Sequence, residues 1–143
     1  MLYFESAAVC LAMALYHEAR SESVVSQVAV GLVVINRVHD QRYPDDICSV
    51  VTQGKRYAWN KKILIKDRCQ FSFFCDGMND RPKNAKAWSK ARTLSHQILS
   101  GRFPDITEGS THYHATYVEP DWAASKTKIT QIGSHIFYRW EQK

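Results

Sequence analysis

The sequence contains no apolar stretch long enough to cross a membrane. Its longest strongly apolar run is VAVGLVVI at residues 28–35, far short of the roughly 20 residues that a membrane-spanning helix needs. A secretory signal is not expected either, because the apolar first residues include Glu5 and lack a basic start. We therefore expect no membrane partner. If the protein acts outside the cytoplasm, another factor must release it, or a signal has been removed.

Cysteine is also scarce. Four cysteines in 143 residues are too few for the disulfide-dense scaffold of a small secreted domain. Cys10 and Cys48 lie in apolar, helix-like segments, and we expect both to be buried thiols. Cys69 and Cys75 bracket a short loop and could be bonded to each other, which the sequence leaves open.

An arginine-rich run is missing as well, although the net charge is +5. Such a basic balance suits an anionic partner, which can be a nucleic acid, a membrane surface or an anionic wall polymer. The charges are scattered, and the one basic cluster that also carries aromatic residues is KRYAWNKK at residues 55–62. A single short cluster is weak support for nucleic-acid binding, so we expect no nucleic-acid partner.

The patterns that are present predict an α+β fold in one domain, residues 1–143, with a mainly helical body. Helices are expected over 4–20, 24–38, 46–53 and 82–100, with Gly54 and Gly101 as helix caps and Gly31 permitting a close helix contact. Residues 55–79 have no regular period and are interpreted as a long irregular loop. Short strands are expected over 111–117, 128–132 and 135–140, with a hairpin turn at Gly133. They form a small C-terminal antiparallel sheet.

The first helix carries an apolar stripe that ends in a carboxylic acid. Burial at the end of such a stripe raises the pKa of a carboxyl, and a carboxyl that stays protonated can act as a general acid. The competing interpretation is a glutamate at the core edge that is neutralised by Arg20 or Arg37. The stripe consists of Phe4, Ala8, Leu11, Leu15 and Glu18.

Three other kinds of site compete with this one. A zinc site could use Cys69, Cys75, His112 and His114, but the spacing of these ligand types is poor. A cysteine nucleophile could pair with a histidine, although neither loop cysteine follows the pattern of a reactive thiolate. A non-catalytic binding module that uses the basic aromatic cluster also remains open.

A carboxylate enzyme acting on a glycosidic bond is the fourth possibility. An ordinary glycosidase needs two carboxyls at a set separation. The nearby candidates are Glu22, Asp45, Asp46 and Asp76, and none of them is paired with Glu18 by its spacing. This pattern disfavours simple hydrolysis, but it suits a reaction whose nucleophile belongs to the substrate.

Five blocks carry a resemblance to a known family. They are HEARSESVVSQVAVGLVVINRV, YPDDICSVVTQGKRYAW, CQFSFFCDG, THYHATYVEPDWA and IGSHIFYRW. In this order they resemble the cell-wall hydrolase family named for the spore-cortex-lytic enzymes SleB and CwlJ. Ser21 departs from the pattern, since the family commonly has Gly after the EAR triplet.

The resemblance implies a lysozyme-like catalytic domain that cleaves peptidoglycan glycan strands between N-acetylmuramic acid and N-acetylglucosamine. Its catalytic glutamate corresponds to Glu18, which would act first as acid and then as base and leave a 1,6-anhydro end. Muramidase-type hydrolysis of the same bond is the alternative. No metal and no cofactor are implied.

Supporting residues are expected in the aromatic loop and the first C-terminal strand. Gln70 and Ser72 could orient the substrate N-acetyl group or the proton, and hydrogen bonding within the loop is the alternative. On a strand, Tyr113 faces away from His112 and His114. Tyr113 could hydrogen-bond near Glu18 or to the sugar, and His114 could line the cleft. Candidate sugar platforms are Tyr57, Trp59, Phe73 and Trp122, with core packing as the alternative for each.

The bare domain resembles a phage lysis enzyme or a stand-alone bacterial relative. We therefore expect a monomer that acts on the bacterial cell wall, in the periplasm or outside the cell. Lack of a signal in the sequence is consistent with a phage enzyme made in the host cytoplasm.

Overall fold

Four helices and two small antiparallel sheets make up the structure, a computed structural model that describes residues 6–141. The predicted α+β class is therefore confirmed. The helices are α1 (Ala7–Ala19), α2 (Val24–Val38), α3 (Ile47–Val51) and α4 (Ala85–Leu99); the strands are β1 (Gly54–Tyr57), β2 (Asn60–Cys69), β3 (His112–Ala115), β4 (Thr127–Ile132) and β5 (His135–Arg139). Two 3-10 helices span Ser72–Cys75 and Asp121–Ser125.

Each α-helix begins at a side-chain cap. The side chains of Ser6, Ser23, Asp46 and Asn84 accept hydrogen bonds from backbone N–H groups in the first turns of α1, α2, α3 and α4. Such caps satisfy donors that have no partner within the helix. The predicted start of the first helix at Phe4 lies outside the described residues.

The core forms around α1, which packs against α2, α3 and α4. Residues 10–16 of α1 and residues 26–34 of α2 are buried. A Cβ atom on Gly31 would lie 2.6 Å from Cδ1 of Ile98 and 3.3 Å from Cδ2 of Leu15. The close helix contact predicted at Gly31 is thus confirmed. None of the helices within residues 6–141 has the length and apolarity to cross a membrane.

The prediction of two buried thiols is wrong, because Cys10 and Cys48 form a disulfide with their Cα atoms 5.2 Å apart. The short helix α3 packs on α1 and brings Cys48 to the buried Cys10. The apolar context correctly indicated burial for Cys10, whereas Cys48 is only half-buried. It carried no signal for a pairing across 38 residues. Cys69 and Cys75, whose pairing the sequence left open, are bonded to each other.

Residues 55–79 do not form one irregular loop, and this prediction is wrong for the first part of the segment. Strands β1 and β2 pair antiparallel with two register irregularities, and most of their side chains are exposed. Because neither face is well buried, the sequence lacks the apolar–polar alternation by which a half-buried strand is recognised. Gly54 is the first residue of β1 and not a helix cap. Its lack of a side chain leaves room for Cys69, whose Sγ would lie 2.6 Å from a Cβ there.

The C-terminal sheet has the strand order β3-β5-β4, with all pairs antiparallel. The predicted hairpin turn joins β4 to β5, and Gly133 has the positive φ of 57° that the turn needs. Tyr113 of β3 lies opposite Phe137 of β5. Both pack with Ala29 and Val33 of α2, so one face of the sheet lies against the helices.

Candidate active site

Glu18 lies in the last turn of α1, where the buried stripe through Leu11 and Leu15 reaches the surface. Its side chain is half-buried. Burial raises the pKa of this carboxyl above its usual value, while the hydrogen bond from Tyr113 and the charge of Arg37 act in the opposite direction. The expectation that desolvation at the end of the stripe raises the pKa is confirmed.

Tyr113 projects from β3 onto this carboxyl, and its hydroxyl donates a hydrogen bond to Oε1 of Glu18. Burial raises the pKa of Tyr113 well above its usual value, and the neighbouring carboxylate adds to the effect. The phenol therefore stays protonated and remains a donor. The contact predicted between Tyr113 and Glu18 is confirmed by this bond.

The positive charge of Arg37 acts on Glu18, although Nη1 of Arg37 has no hydrogen-bond partner within residues 6–141. Its side chain is 6% exposed, and Nε donates to the carbonyl of Thr111 at 2.8 Å. Arg20 lies over the ring of Tyr16. No ion pair within residues 6–141 includes Glu18. The interpretation of Glu18 as a glutamate neutralised by a neighbouring arginine is therefore not supported.

A cavity of about 190 Å³ lies beside the preceding residue, His17. Nε2 of His17 donates to the carbonyl of Asp80 at 2.8 Å, and the imidazole stacks on Phe73 with ring centroids 4.3 Å apart. Phe73 is 6% exposed, so its ring packs in the core and has little surface for a sugar. The cavity is also lined by Tyr16, Arg20, Asp76, Met78, Asn79, Arg81 and Lys83.

Within residues 6–141, the structure gives Glu18 no second carboxylate as a partner. Glu22 is held by Ser134, whose hydroxyl donates to Oε1 at 2.6 Å, and this bond lowers the pKa of Glu22. Asp46 caps α3, and Asp76 lines the cavity beside His17. Within the described part of the chain, the groups that shift the pKa of Glu18 include no other carboxylate.

Gln70 and Ser72 lie in the segment closed by the Cys69–Cys75 disulfide. Both side chains are exposed, and Ser72 begins a 3-10 helix. Neither is hydrogen-bonded to Glu18 in the part of the chain that the structure describes. Their contact with a substrate stays a prediction.

His114 is not brought to Glu18, because it faces away from Tyr113 on the same strand. Its Nδ1 donates to the carbonyl of Ala115 at 2.7 Å, and its Nε2 lies 2.8 Å from the hydroxyl of Tyr138. Trp122 packs on the same side, with its ring 5.6 Å from that of His114. This arrangement favours a packing role for Trp122. It also places His114 on the face of the strand opposite to Tyr113, away from Glu18.

The hypotheses of a zinc site and of a cysteine nucleophile are wrong. Both loop cysteines are consumed by a disulfide, and no cysteine within residues 6–141 is free. A disulfide sulfur offers neither the thiolate ligand that zinc binds nor a nucleophile.

Tyr57 and Trp59 lie at the tip of the β1–β2 hairpin with ring centroids 5.2 Å apart. They are 36% and 74% exposed. An exposed aromatic pair offers ring faces on which a sugar can stack, so these two remain candidate platforms.

The contacts of His135 were missed by the sequence reasoning. Its ring meets that of Tyr113 edge to face, with centroids 5.2 Å apart, and its Nδ1 lies 3.9 Å from Oε1 of Glu22. The alternation of β5 could have placed His135 on the face of Phe137, which is the face of Tyr113.

Comparisons with known proteins identify the family and the fold. The family model described as Cell Wall Hydrolase matches residues 21–138, a range that includes Tyr113 and begins just after Glu18. Spore cortex-lytic enzymes of Oceanobacillus iheyensis and Halalkalibacterium halodurans are 30% and 29% identical to this chain over 89% of its length. The matches cover 39% and 33% of those proteins, so the chain spans well under half the length of these curated relatives.

A solved structure has the same fold. It is the catalytic domain of the germination-specific lytic transglycosylase SleB from Bacillus anthracis, with a TM-score of 0.71 at 24% identity. The similarity covers 96% of this chain and 97% of that domain. It confirms the fold class expected from the sequence.

Proposed function

Because the chain belongs to the cell wall hydrolase family, we propose that it cleaves peptidoglycan glycan strands as a lytic transglycosylase. The bond would be the one between N-acetylmuramic acid and N-acetylglucosamine. The observation that carries the proposal is a single half-buried carboxyl, Glu18, whose pKa burial raises and which is oriented by Tyr113. The Bacillus anthracis domain with the same fold is a lytic transglycosylase, which agrees with the proposal.

In the first step, Glu18 acts as the general acid. Tyr113 holds Oε1, so the acidic proton is carried by Oε2 and passes to the glycosidic oxygen. The bond between C1 of the muramoyl residue and that oxygen breaks, and the N-acetylglucosamine end leaves as an alcohol. The raised pKa makes the protonated form available for this transfer.

In the second step, the carboxylate of Glu18 takes the proton of the muramoyl C6 hydroxyl. The C6 oxygen attacks C1, which closes the 1,6-anhydro ring and returns Glu18 to its acid form. The donor hydroxyl of Tyr113 and the charge of Arg37 stabilise the carboxylate between the two steps. One carboxyl serves both steps, so no second carboxylate is needed, and no metal or cofactor enters the scheme.

The enzyme would act as a monomer on the wall side of the membrane, without a nucleic-acid or membrane partner. The two disulfides support this location, because such bonds persist mainly in oxidising compartments.

The test compares wild type, Glu18→Gln and the control Glu119→Gln, a substitution at an exposed carboxylate, on purified peptidoglycan sacculi. Glu18→Gln is expected to abolish release of muropeptides, whereas Glu119→Gln keeps the wild-type rate. Mass spectrometry of the wild-type products should find anhydro ends, which lack one water. Reducing ends would mean hydrolysis instead, and a folded Glu18→Gln protein that still releases muropeptides would overturn the role of Glu18.

A further inference from the structure

We propose that the β1–β2 hairpin, residues 54–69, binds the carboxylates of the peptide stems on the strand being cleaved. We call this segment the basic hairpin. The inference deepens the proposed function and rests on it, since it names a second part of the same polymer as a ligand. It concerns binding alone and assigns the hairpin no chemical step.

The whole positive excess of the chain lies in the basic hairpin. The chain has 19 Lys and Arg and 14 Asp and Glu, a net charge of +5. The hairpin has six basic residues and one acidic residue, also a net of +5, so the remaining residues carry 13 of each sign and sum to zero. The six basic residues are Lys55, Arg56, Lys61, Lys62, Lys66 and Arg68.

These charges are available to a ligand. All six basic side chains are exposed, and none takes part in the ion pairs found within residues 6–141. Exposed like charges on a two-stranded hairpin repel one another, and an anionic partner relieves that repulsion. The concentration of unpaired charge on one element therefore indicates a binding surface.

The tip of the basic hairpin adds a surface suited to sugars. Trp59 is 74% exposed and packs against Tyr57. Aromatic rings bury large apolar area at low entropic cost and stack on apolar faces. Aromatic and basic groups on one hairpin match a polymer in which sugars and carboxylates alternate.

The base of the basic hairpin is attached beside α1, the helix that carries Glu18. Cys69, the last residue of β2, is bonded to Cys75, and Phe73 between them stacks on His17, the neighbour of Glu18. A Cβ at Gly77 would lie 3.0 Å from Cε of Lys66, so β2 also packs along the loop that lines the cavity beside His17. A glycan strand held at Glu18 would pass within reach of the hairpin.

This position favours peptide stems over other anionic polymers. Stems branch from the muramoyl residues of the strand and bear free carboxylates, so they accompany the substrate to the site. A nucleic acid or an anionic membrane does not accompany the substrate to Glu18. Binding to either of them is an outcome of the test.

The test measures binding to sacculi that have been stripped of secondary polymers. All proteins carry Glu18→Gln, so that the sacculi stay intact, and the protein with this substitution alone is the parent. The variant Lys55→Gln/Lys61→Gln/Lys62→Gln removes three exposed charges. Loss of three exposed ion pairs predicts an apparent affinity weaker by on the order of tenfold at physiological salt. The difference should vanish near 1 M salt, where charges are screened within about 3 Å.

The matched control, Lys86→Gln/Lys90→Gln/Lys128→Gln, removes three exposed lysines from α4 and β4 and changes net charge equally. It is expected to bind like the parent. Equal weakening in both triple variants would overturn the inference, because net charge alone would then explain binding. Thermal melts of both variants verify that the fold is kept.

Two further arms identify the ligand. Amidation of the stem carboxylates should weaken binding of the parent to the level of the hairpin variant; unchanged binding to amidated sacculi would overturn the inference. Hairpin-dependent binding that is tighter to duplex DNA or to anionic lipid vesicles than to sacculi would also overturn it. If the Glu18→Gln parent itself digests the sacculi, the proposed function fails. If the sacculi stay intact and the lysine substitutions do not change binding, only the proposed role of the basic hairpin is refuted.

Discussion

The hydrogen bond from Tyr113 to Glu18 gives the sharpest prediction about the chemistry. Tyr113→Phe removes one hydroxyl and keeps the ring, which packs against Phe137 and His135. The hydroxyl donates to the carboxyl and lowers the pKa of Glu18, against the larger effect of burial. Its loss leaves burial less opposed, so the pKa of Glu18 rises further.

The size of the effect follows from the kind of bond lost. A hydrogen bond to a charged group contributes about 1.5–3 kcal/mol, so the proton affinity of Glu18 should rise by about ten- to a hundredfold. In the proposed mechanism the acid step needs protonated Glu18, so activity is expected to fall as pH rises through the pKa of Glu18. In the variant, the alkaline limb of the pH–rate profile is therefore expected to move to higher pH. The maximal rate should fall, because the carboxylate formed between the two steps loses its donor.

The same bond contributes to stability with a defined sign. It favours the carboxylate, so the stability lost in Tyr113→Phe grows as pH rises through the pKa of Glu18 and is small in acid, where the carboxyl is protonated in both proteins. Denaturant unfolding across this pH range measures the difference.

The assay combines turbidity loss of sacculi over a pH series with an NMR titration of the Glu18 side-chain carboxyl. Tyr117→Phe is the control, because Tyr117 is 86% exposed and loses the same hydroxyl from a solvated position. Titration of Glu18 at an unchanged or lower pH in Tyr113→Phe would refute the reasoning. Equal changes in both variants would do the same.

Three further predictions concern the scaffold. Cys10→Ala/Cys48→Ala removes a bond across 38 residues and should lower the free energy of unfolding by about 4 kcal/mol in the loop-closure model, measured by urea unfolding. Glu22→Gln weakens the contact with Ser134 and should lower the free energy of unfolding by on the order of 1 kcal/mol near neutral pH. Because the pKa of Glu22 is lowered in the folded protein, this loss of stability disappears as pH falls through that pKa. Thermal melts at two pH values would detect the difference. Gly31→Val overpacks a close helix contact and should cost about 1–3 kcal/mol, again by urea unfolding.

The helical body was predictable because the spacing of its apolar residues indicates which of them are buried. The α1 stripe and the long apolar run of α2 indicate helices by period and length, and both helices are buried as expected. The caps at Ser23 and Asp46 follow from short polar side chains at helix starts. These signals depend on neighbouring residues in the chain, so they can be recognised in a single sequence.

The β1–β2 hairpin escaped prediction for the opposite reason. Its strands are exposed on both sides, so no alternation marks them, and Asp67 has a positive φ of 65° within β2. Its position is fixed by the Cys69–Cys75 bond and by packing along the loop at Gly77. Such constraints act through space.

The active site was predictable in part. The period of α1 placed Glu18 at the end of the buried stripe, and the family resemblance suggested it as the catalytic residue, a role that stays a prediction. The period of β3 separated Tyr113 from His114, because side chains on a strand alternate between faces. The stack of His17 on Phe73 was not predictable, since it depends on how residues 69–75 fold back on α1. Sequence periods assign a face to each residue, but they do not say what will lie opposite that face.

Glu18 and Glu22 illustrate how the fold sets the chemistry of identical side chains. They are four residues apart, at the corner between α1 and α2, yet burial raises the pKa of Glu18 and the Ser134 hydroxyl lowers that of Glu22. Glu22 is consequently ionised near neutral pH and is suited to hold the β4–β5 turn. Glu18 is kept between two opposing influences: burial favours the acid form, and Tyr113 with Arg37 favours the base form. A carboxyl dominated by burial would be a poor base, and one dominated by its partners would be a poor acid, so a reaction that uses one residue in both roles requires this balance.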